Sequence, residues 1–411
     1  MADYTTTIMD SLLKEVYTKE IIDGMRTAFP LLDRFKKWPK NMIGGKHFNV
    51  NVYMTEGDSV MSYAEGSSLS ARRGLPVFEQ MQIPLTYLSG TFQLTGQAIE
   101  GSKRNEWAIR DAMDTAKMDL MVQLHRRQTL DFLGSHNGVR AEVKTAVVAG
   151  DTAIVVYAPG GNENLSHAGY SFKRGDRIYI KDATNPQAFV VKSVDHGAPN
   201  DTINVVTAAS AAISANAPIY FGTGPTDIEE NLSPHGLLDI FNDSADYMGI
   251  SVTEYPDWKP YFYNGGTPVP FSKKDFTDFL IQTHEWAGGK PNIVLCNTEL
   301  VSELQELFDT EVRRSPLSEI KGGVKSITWS VLGMEVEFFF HDFIHPGSIY
   351  ALDEKYMWWG NQKEGGFLPK GGNGVVYRLD GQDVYRADWN KYYNLFTKKR
   401  NAHGLMVYTL K

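Results

Sequence analysis

From Phe48 to Met54 apolar and polar positions alternate: Phe48, Val50, Val52 and Met54 against Asn49, Asn51 and Tyr53. A period of two predicts a strand with one dry face. Met81, Ile83, Leu85 and Tyr87 alternate again, with Gln80, Gln82 and Thr86 on the other face. Between these arms lies Glu56 to Pro76, rich in Gly, Ser and Arg and too poor in large apolar groups for a core of its own. A loop this long inside a compact domain is improbable unless it is functional or pairs with something outside. The expected partner is another copy of the chain. On this reading the ribbon from His47 to Pro84 is energetically incomplete until a sibling supplies the surface it lacks.

Before the hairpin, Ile8, Leu12, Leu13 and Val16, then Ile21, Ile22 and Met25, predict an amphipathic helical arm broken by Pro30 and Pro39. It is short and is expected to dock on another element. After the hairpin, Gly90 and Gly96 are expected to punctuate two further strands, with Phe92 and Leu94 on one face. Asn105 to Leu133 contains no Gly or Pro and carries Ile109, Met113, Ala116, Leu120 and Leu124 at helical spacing. It predicts one long helix lying along a sheet with its outer face wet, ended by Gly134 and Gly138.

Composition then shifts toward Val, Ile and Thr. Short strands are expected at Thr152–Tyr157, Arg177–Lys181, Phe189–Val194, Thr202–Val206 and Pro218–Phe221, forming a small β-barrel or sandwich with an exit linker at Thr223–Thr226. A mixed region follows, with a helix over Lys273–Glu285 turning Phe276, Phe279, Leu280 and Thr283 inward. A strand at Asn292–Cys296 leads to a helix capped by Thr298 and running to about Val312. The loop Arg313–Lys325 separates that helix from strands at Ile327–Leu332 and Met334–Phe340, and Ser348 to Lys411 reads as aromatic-rich strands.

The 411 residues suffice for two or three domains, and 42% hydrophobic with 22% charged residues is ordinary for a folded chain. The net charge of −8 argues against a general nucleic-acid binder, though not against a local basic patch. The single cysteine, Cys296, excludes an intramolecular disulfide. The N-terminus lacks the blocks of a signal peptide, and no apolar run reaches the roughly 20 residues of a membrane span.

The chemistry search returns little. His341-Asp342-Phe343-Ile344-His345 has the spacing of a shared metal site only on a helix, and here it follows a strand. His284-Glu285 lacks a second histidine, because Gly288 stands at its place. Gly288-Gly289-Lys290 lacks the remaining residues of a phosphate loop, and Gly371–Gly374 is followed by no helix. Cys296 is expected to be buried and inert. No cofactor, metal or catalytic residue is expected. The basic clusters Arg72-Arg73, Arg313-Arg314 and Lys398-Lys399-Arg400 read as solvated charge or, more sharply, as contacts to a neighbouring subunit or, for the last, to DNA. Arg72 and Arg73 favour the sharper reading because they sit on the loop that needs a partner, where Glu56, Asp58 and Glu65 supply opposite charges. The candidate intersubunit contacts are therefore Glu56, Asp58, Glu65, Arg72, Arg73, Arg313 and Arg314.

The order of arm, hairpin, long helix, β insert, mixed domain and late strands resembles the tailed-phage major capsid protein with the Hong Kong 97-type coat fold. Glu56–Val60, Tyr87–Gly96, Asp114–Gly134, Phe172–Ile178 and Gly347–Leu352 carry the likeness. The resemblance implies an α+β capsid fold with an inserted all-β domain. It assigns 1–46 to an N-terminal arm, 47–90 to the extended loop and 91–137 with 347–411 to a peripheral domain holding the spine helix. It assigns 138–224 to the β domain and 225–346 to an axial domain with Arg313–Lys325 at its tip. It further implies hexamers and pentamers closing an icosahedral head around double-stranded DNA, in a virion assembled in the host cytoplasm. The helical arm begins at once, so a separate scaffolding protein is expected, with a portal and a decoration protein as further partners. The readings from other classes are a hydrolase or ligand-binding protein with a β module, and a cellular nanocompartment shell.

Overall fold

The computed structural model describes residues 35–37, 47–58, 60, 62–63, 65, 74–97, 106–159, 168–197, 200–309, 318–319, 325–326, 328–331, 333–368 and 376–409. The expected helical arm lies outside them.

The alternating segments form the hairpin that their period demands. His47–Thr55 and Val77–Pro84 pair antiparallel in a separate two-stranded sheet, with Phe48 opposite Ile83 and Val50 opposite Met81. The chain then runs into Thr86–Thr95, one continuous ten-residue strand rather than two. Gly90 does not break it. A Cβ at that position would lie 2.8 Å from Leu120 Cδ1 and 3.1 Å from Leu124 Cδ2, so the glycine is where the long helix presses onto the strand. All ten residues of Thr86–Thr95 pair with the long strand Val384–Thr397. That strand also pairs with Met357–Phe367 and Val376–Arg378, and Lys36–Lys37 lies parallel along the edge of Met357–Phe367.

The helix spans Glu106–Leu133, 28 residues, or roughly 42 Å. Leu120 and Leu124 are buried against Trp389 as the stripe predicts, while Met118 and Val122 on the outer face are exposed. The side chains of Ile109 and Met113 are outside the described set. The last turns depart from the narrow-stripe expectation, because Gln128, Thr129 and Asp131 are buried along with Leu130, Phe132 and Leu133. Asp131 explains how polar groups survive there. It takes Arg140 Nη2 at 2.5 Å, Arg127 Nε at 3.2 Å and the Tyr393 hydroxyl at 3.2 Å. Arg140 also donates to Ser233 Oγ (3.0 Å), and Arg127 pairs with Glu229. This buried network ties the helix end to both chain segments that enter and leave the following β unit.

That unit is a closed barrel. Six antiparallel strands run in the spatial order Pro218–Gly224, Ala141–Val143, Ala153–Tyr157, Asp201–Val205, Gln187–Asp195 and Arg177–Ile180, the last pairing back onto the first. Its interior is its own, filled by side chains such as Val143, Ile154, Ile178, Phe189, Ile203 and Ile219. Closure removes the free edges that an open sheet of this size would expose.

The third sheet follows the order Tyr261–Phe262, Gly404–Thr409, Ser348–Leu352, Ile293–Cys296, Met334–Phe340 and Thr328–Val331. Ile293–Cys296 is buried at every position because both faces are covered. Val294 and Cys296 meet the helices Lys273–Ala287 and Leu300–Asp309, with Phe276, Phe279 and Leu304. Ile293 and Leu295 face the central core shared with the hairpin and the end of the long helix. Two expectations need correction here. Ser348–Leu352 and Gly404–Thr409 belong to this sheet rather than with the long helix, because they pair with Ile293–Cys296 and with each other. Thr298 is not the helix cap, since its hydroxyl donates to Asp342 (2.6 Å) while Asn297 Oδ1 accepts the Glu299 N–H (3.1 Å).

Candidate assembly surface

The hairpin divides into a dry base and a wet tip. At the base Met81 and Ile83 have no exposed surface, and Val52 is buried beside them. They join one core with Tyr247, Met248, Tyr350, Leu352 and Phe396, while Phe48, Val50 and Met54 pack at its margin. Polar contacts fix the same region. Gln82 N–H donates to the Met248 carbonyl (2.8 Å), Asn394 Nδ2 to the Pro84 carbonyl (2.6 Å) and the Thr86 hydroxyl to the Tyr393 carbonyl (2.5 Å). The Tyr255 hydroxyl donates to Glu79 (2.9 Å), and holding that proton against the carboxylate raises the phenol to about 12. The expectation that the whole ribbon from His47 to Pro84 lacks a surface is therefore wrong for its base. The named partners that dry it lie about 160 to 340 positions away in sequence, beyond the reach of local pattern.

The described residues toward the tip are open. Tyr53 and Phe78 pack in a tilted arrangement on the outer face with ring centroids 5.2 Å apart, yet Phe78 is 61% exposed. Val60, Tyr63 and Leu75 are exposed beyond them, Leu75 at 83%. Large apolar side chains this open on one hairpin make it a candidate interaction surface. Two glycines close the neck of the loop. The Gly74 N–H donates to the Asp58 carbonyl (3.1 Å), a Cβ on Gly57 would meet the Gly74 carbonyl oxygen, and one on Gly74 would meet the Asp58 backbone nitrogen. No side chain fits either place. Gly57 and Gly74 were missed by the sequence reading, and only their place at the two ends of a loop hints at the pinch.

Glu56, Asp58 and Glu65 are all exposed at this tip. Arg72, Arg73, Arg313 and Arg314 lie outside the described residues. Within the loop that carries the last two, Ser318–Glu319 pairs with Lys325–Ser326. The third basic cluster is not uniformly solvated. Arg400 is fully buried and donates to the carbonyls of Ile240 (2.8 Å), Asp239 (3.3 Å) and Asn242.

The enzyme candidates sit in structural settings. Cys296 is buried, which pushes its thiol well above the usual range. His341 follows the strand Met334–Phe340, and its Nδ1 accepts the Phe343 N–H (3.1 Å). His284 Nδ1 lies 2.8 Å from the Gly289 carbonyl. Among the described residues no group of three or more His, Cys, Asp or Glu could hold a metal ion, and no helix is long and apolar enough to cross a membrane.

No protein-family model matches the sequence, and no curated protein matches it. Among solved structures, the chain is similar to one in the cyanophage A-1(L) capsid asymmetric unit, at 12% identity over 92% of each chain with a TM-score of 0.52. It is also similar to a chain of the satellite phage P4 procapsid that includes the size determination protein, at 7% identity, 96% and 91% coverage and a TM-score of 0.44. A Gordonia phage Cozz chain matches at 8% identity, 93% and 86% coverage and a TM-score of 0.43. The last two, below 0.5, add no weight. The chain thus shares its overall fold with a cyanophage capsid chain.

Proposed function

We propose that this chain is the major capsid protein of a tailed phage, assembling as hexamers and pentamers into an icosahedral head that encloses double-stranded DNA. The observation that carries the reading is the hairpin, rooted in its own core at Met81 and Ile83 and apolar and open at Tyr53, Leu75 and Phe78. The base is held by its own core, so meeting a sibling requires no rearrangement there. Each contact is modest, but several per subunit multiply into a stable lattice. Contacts of this head-to-tail kind close into rings about five- and six-fold axes. The shared fold with the cyanophage chain supports the same role, which is structural rather than catalytic.

In this reading 1–46 is the arm and 47–90 the extended loop. Residues 91–137 with the strands Met357–Phe367 and Val384–Thr397 form the peripheral platform, and 138–224 is an inserted β domain. Residues 225–346 with Ser348–Leu352 and Gly404–Thr409 form the axial domain. Glu56, Asp58, Glu65, Arg72 and Arg73 contact the neighbour at the loop, and Arg313 and Arg314 contact it at the axial tip. A separate scaffolding protein, a portal and a decoration protein are the further partners, and the shell forms in the host cytoplasm before residing in the virion. Sedimentation and negative-stain microscopy of the purified protein test the proposal. Closed megadalton particles are expected, and deletion of Ser62–Gly74 should leave a folded subunit that forms none. A sharp species of about 46 kDa at high concentration, or intact particles from the deletion, overturns it.

A further inference from the structure

The edge where Met357–Phe367 begins gathers lysines around two aromatic rings. Lys36 Nζ lies 5.8 Å and Lys398 Nζ 4.0 Å from the centroid of the Trp358 ring. Beside them, Lys355 Nζ and Lys399 Nζ lie 5.2 Å and 5.6 Å from the Tyr356 ring, and Lys399 Nζ also donates to the Ala287 carbonyl. Trp358 Nε1 donates to the Lys355 carbonyl (3.2 Å) and the Lys398 N–H to the Tyr356 carbonyl (3.0 Å), so both pairs share one piece of surface. Lys36 and Lys355 are exposed, and Lys398 and Lys399 half-buried. Of the carboxylates that follow Leu352, Asp353 is buried and takes the N–H groups of Lys290 and Lys355 (both 3.0 Å), and Glu354 takes Asn292 Nδ2 (3.0 Å). Burial and the Lys36 charge both lower Lys398, the direction expected of crowded cations. Four ammonium groups gather here on a chain whose net charge is −8.

We propose that this patch is a sequence-independent contact for the phosphate backbone of duplex DNA, an inference that rests on the shell reading above. Resting on aromatic faces orders the lysines in advance. Lysines act as point charges rather than as forks that read base edges, which suits contact to a phosphate whatever the sequence. The charge complement favours DNA over a sibling's hairpin. That loop carries Glu56, Asp58 and Glu65 but also Arg72 and Arg73, and leaves little net charge to meet four cations.

Binding of a labelled duplex of about 30 base pairs to the full-length chain, followed by fluorescence anisotropy against salt, tests the proposal. Neutralising about four phosphates gives a log–log salt slope near −3.6, or roughly a hundredfold loss of affinity between 50 and 200 mM. The triple variant Lys36→Gln, Lys355→Gln, Lys398→Gln should reduce that slope to about −1, and Lys355→Gln alone, at an exposed position, should reduce it by about 1. An unchanged slope in a variant that melts like the wild type overturns the proposal, as does absence of duplex binding by the wild type at 50 mM salt. Particle formation separates the two readings. A triple variant that binds duplex normally but no longer assembles makes the patch a subunit contact and leaves the shell reading standing. Patch-dependent binding by a chain that never forms particles keeps the patch and removes the shell reading.

Discussion

Ile83 and Phe78 lie on the same hairpin strand, five residues apart, and should fail in opposite ways when truncated to alanine. Ile83 is wholly buried among residues of the central core. Its truncation removes three methyl or methylene groups and leaves a cavity, costing about 2–5 kcal/mol. For a chain of 411 residues that corresponds to a melting temperature lower by roughly 2–6 °C. Phe78 is 61% exposed, so in the isolated subunit its truncation should cost no more than about 0.5 kcal/mol. If a sibling covers the remaining 61%, that share of a full aromatic burial is about 1.5 kcal/mol per contact. A change of that size raises the assembly threshold about tenfold. Thermal unfolding of the subunit and light scattering against concentration measure the two quantities separately. Equal melting losses for both variants, with no shift in threshold for Phe78→Ala, would refute the division into anchor and tip.

His403 has no exposed surface, accepts the Asp353 N–H at Nδ1 (3.1 Å) and so presents Nε2–H to Thr397 Oγ1 (2.8 Å). Burial lowers it to about 3, so its contribution is complete above the unfolded value near 6.5 and is lost as pH falls from there toward 3. At pH 4.5 the loss should be about 2–3 kcal/mol, and urea midpoints at pH 7 and 4.5 should differ less in His403→Gln by that amount; an equal difference counts against it. Asp131→Ala should cost about 3–5 kcal/mol in urea unfolding, because it strands the buried Arg140 and leaves Arg127 to Glu229 alone; a cost below about 1 would mean the network carries little. Gly90→Val forces Leu120 and Leu124 off the strand and should cost about 1–3 kcal/mol, read as a lower melting temperature; wild-type melting would show that the helix can lift at no cost.

The elements with a clean period were legible in the sequence. The hairpin arms, the middle of the long helix, the barrel strands and the inward face of Lys273–Ala287 all lie where alternation or helical spacing places them. What was not legible depends on partners distant in the chain. Met81 and Ile83 read as half of an unfinished surface because Tyr350, Leu352 and Phe396 are invisible to a local window. Arg400 read as surface charge beside two lysines, yet it closes the carbonyl ends of Leu237–Ile240 from 160 positions away. Gly90 read as a break because a glycine under a crossing helix and a glycine at a turn look alike in sequence. Of the candidate contacts, Glu56, Asp58 and Glu65 are exposed, as acidic side chains on a loop poor in apolar residues are expected to be.

Hydrogen exchange on free subunits and on purified particles addresses the anchor-and-tip division most directly. We expect the amides between Glu56 and Arg73 to gain protection only in particles, while those around Met81 and Ile83 are already slow in the free subunit. Tip amides equally protected in both states, or equally fast in both, would contradict a hairpin that is finished at its base and completed at its end by a sibling.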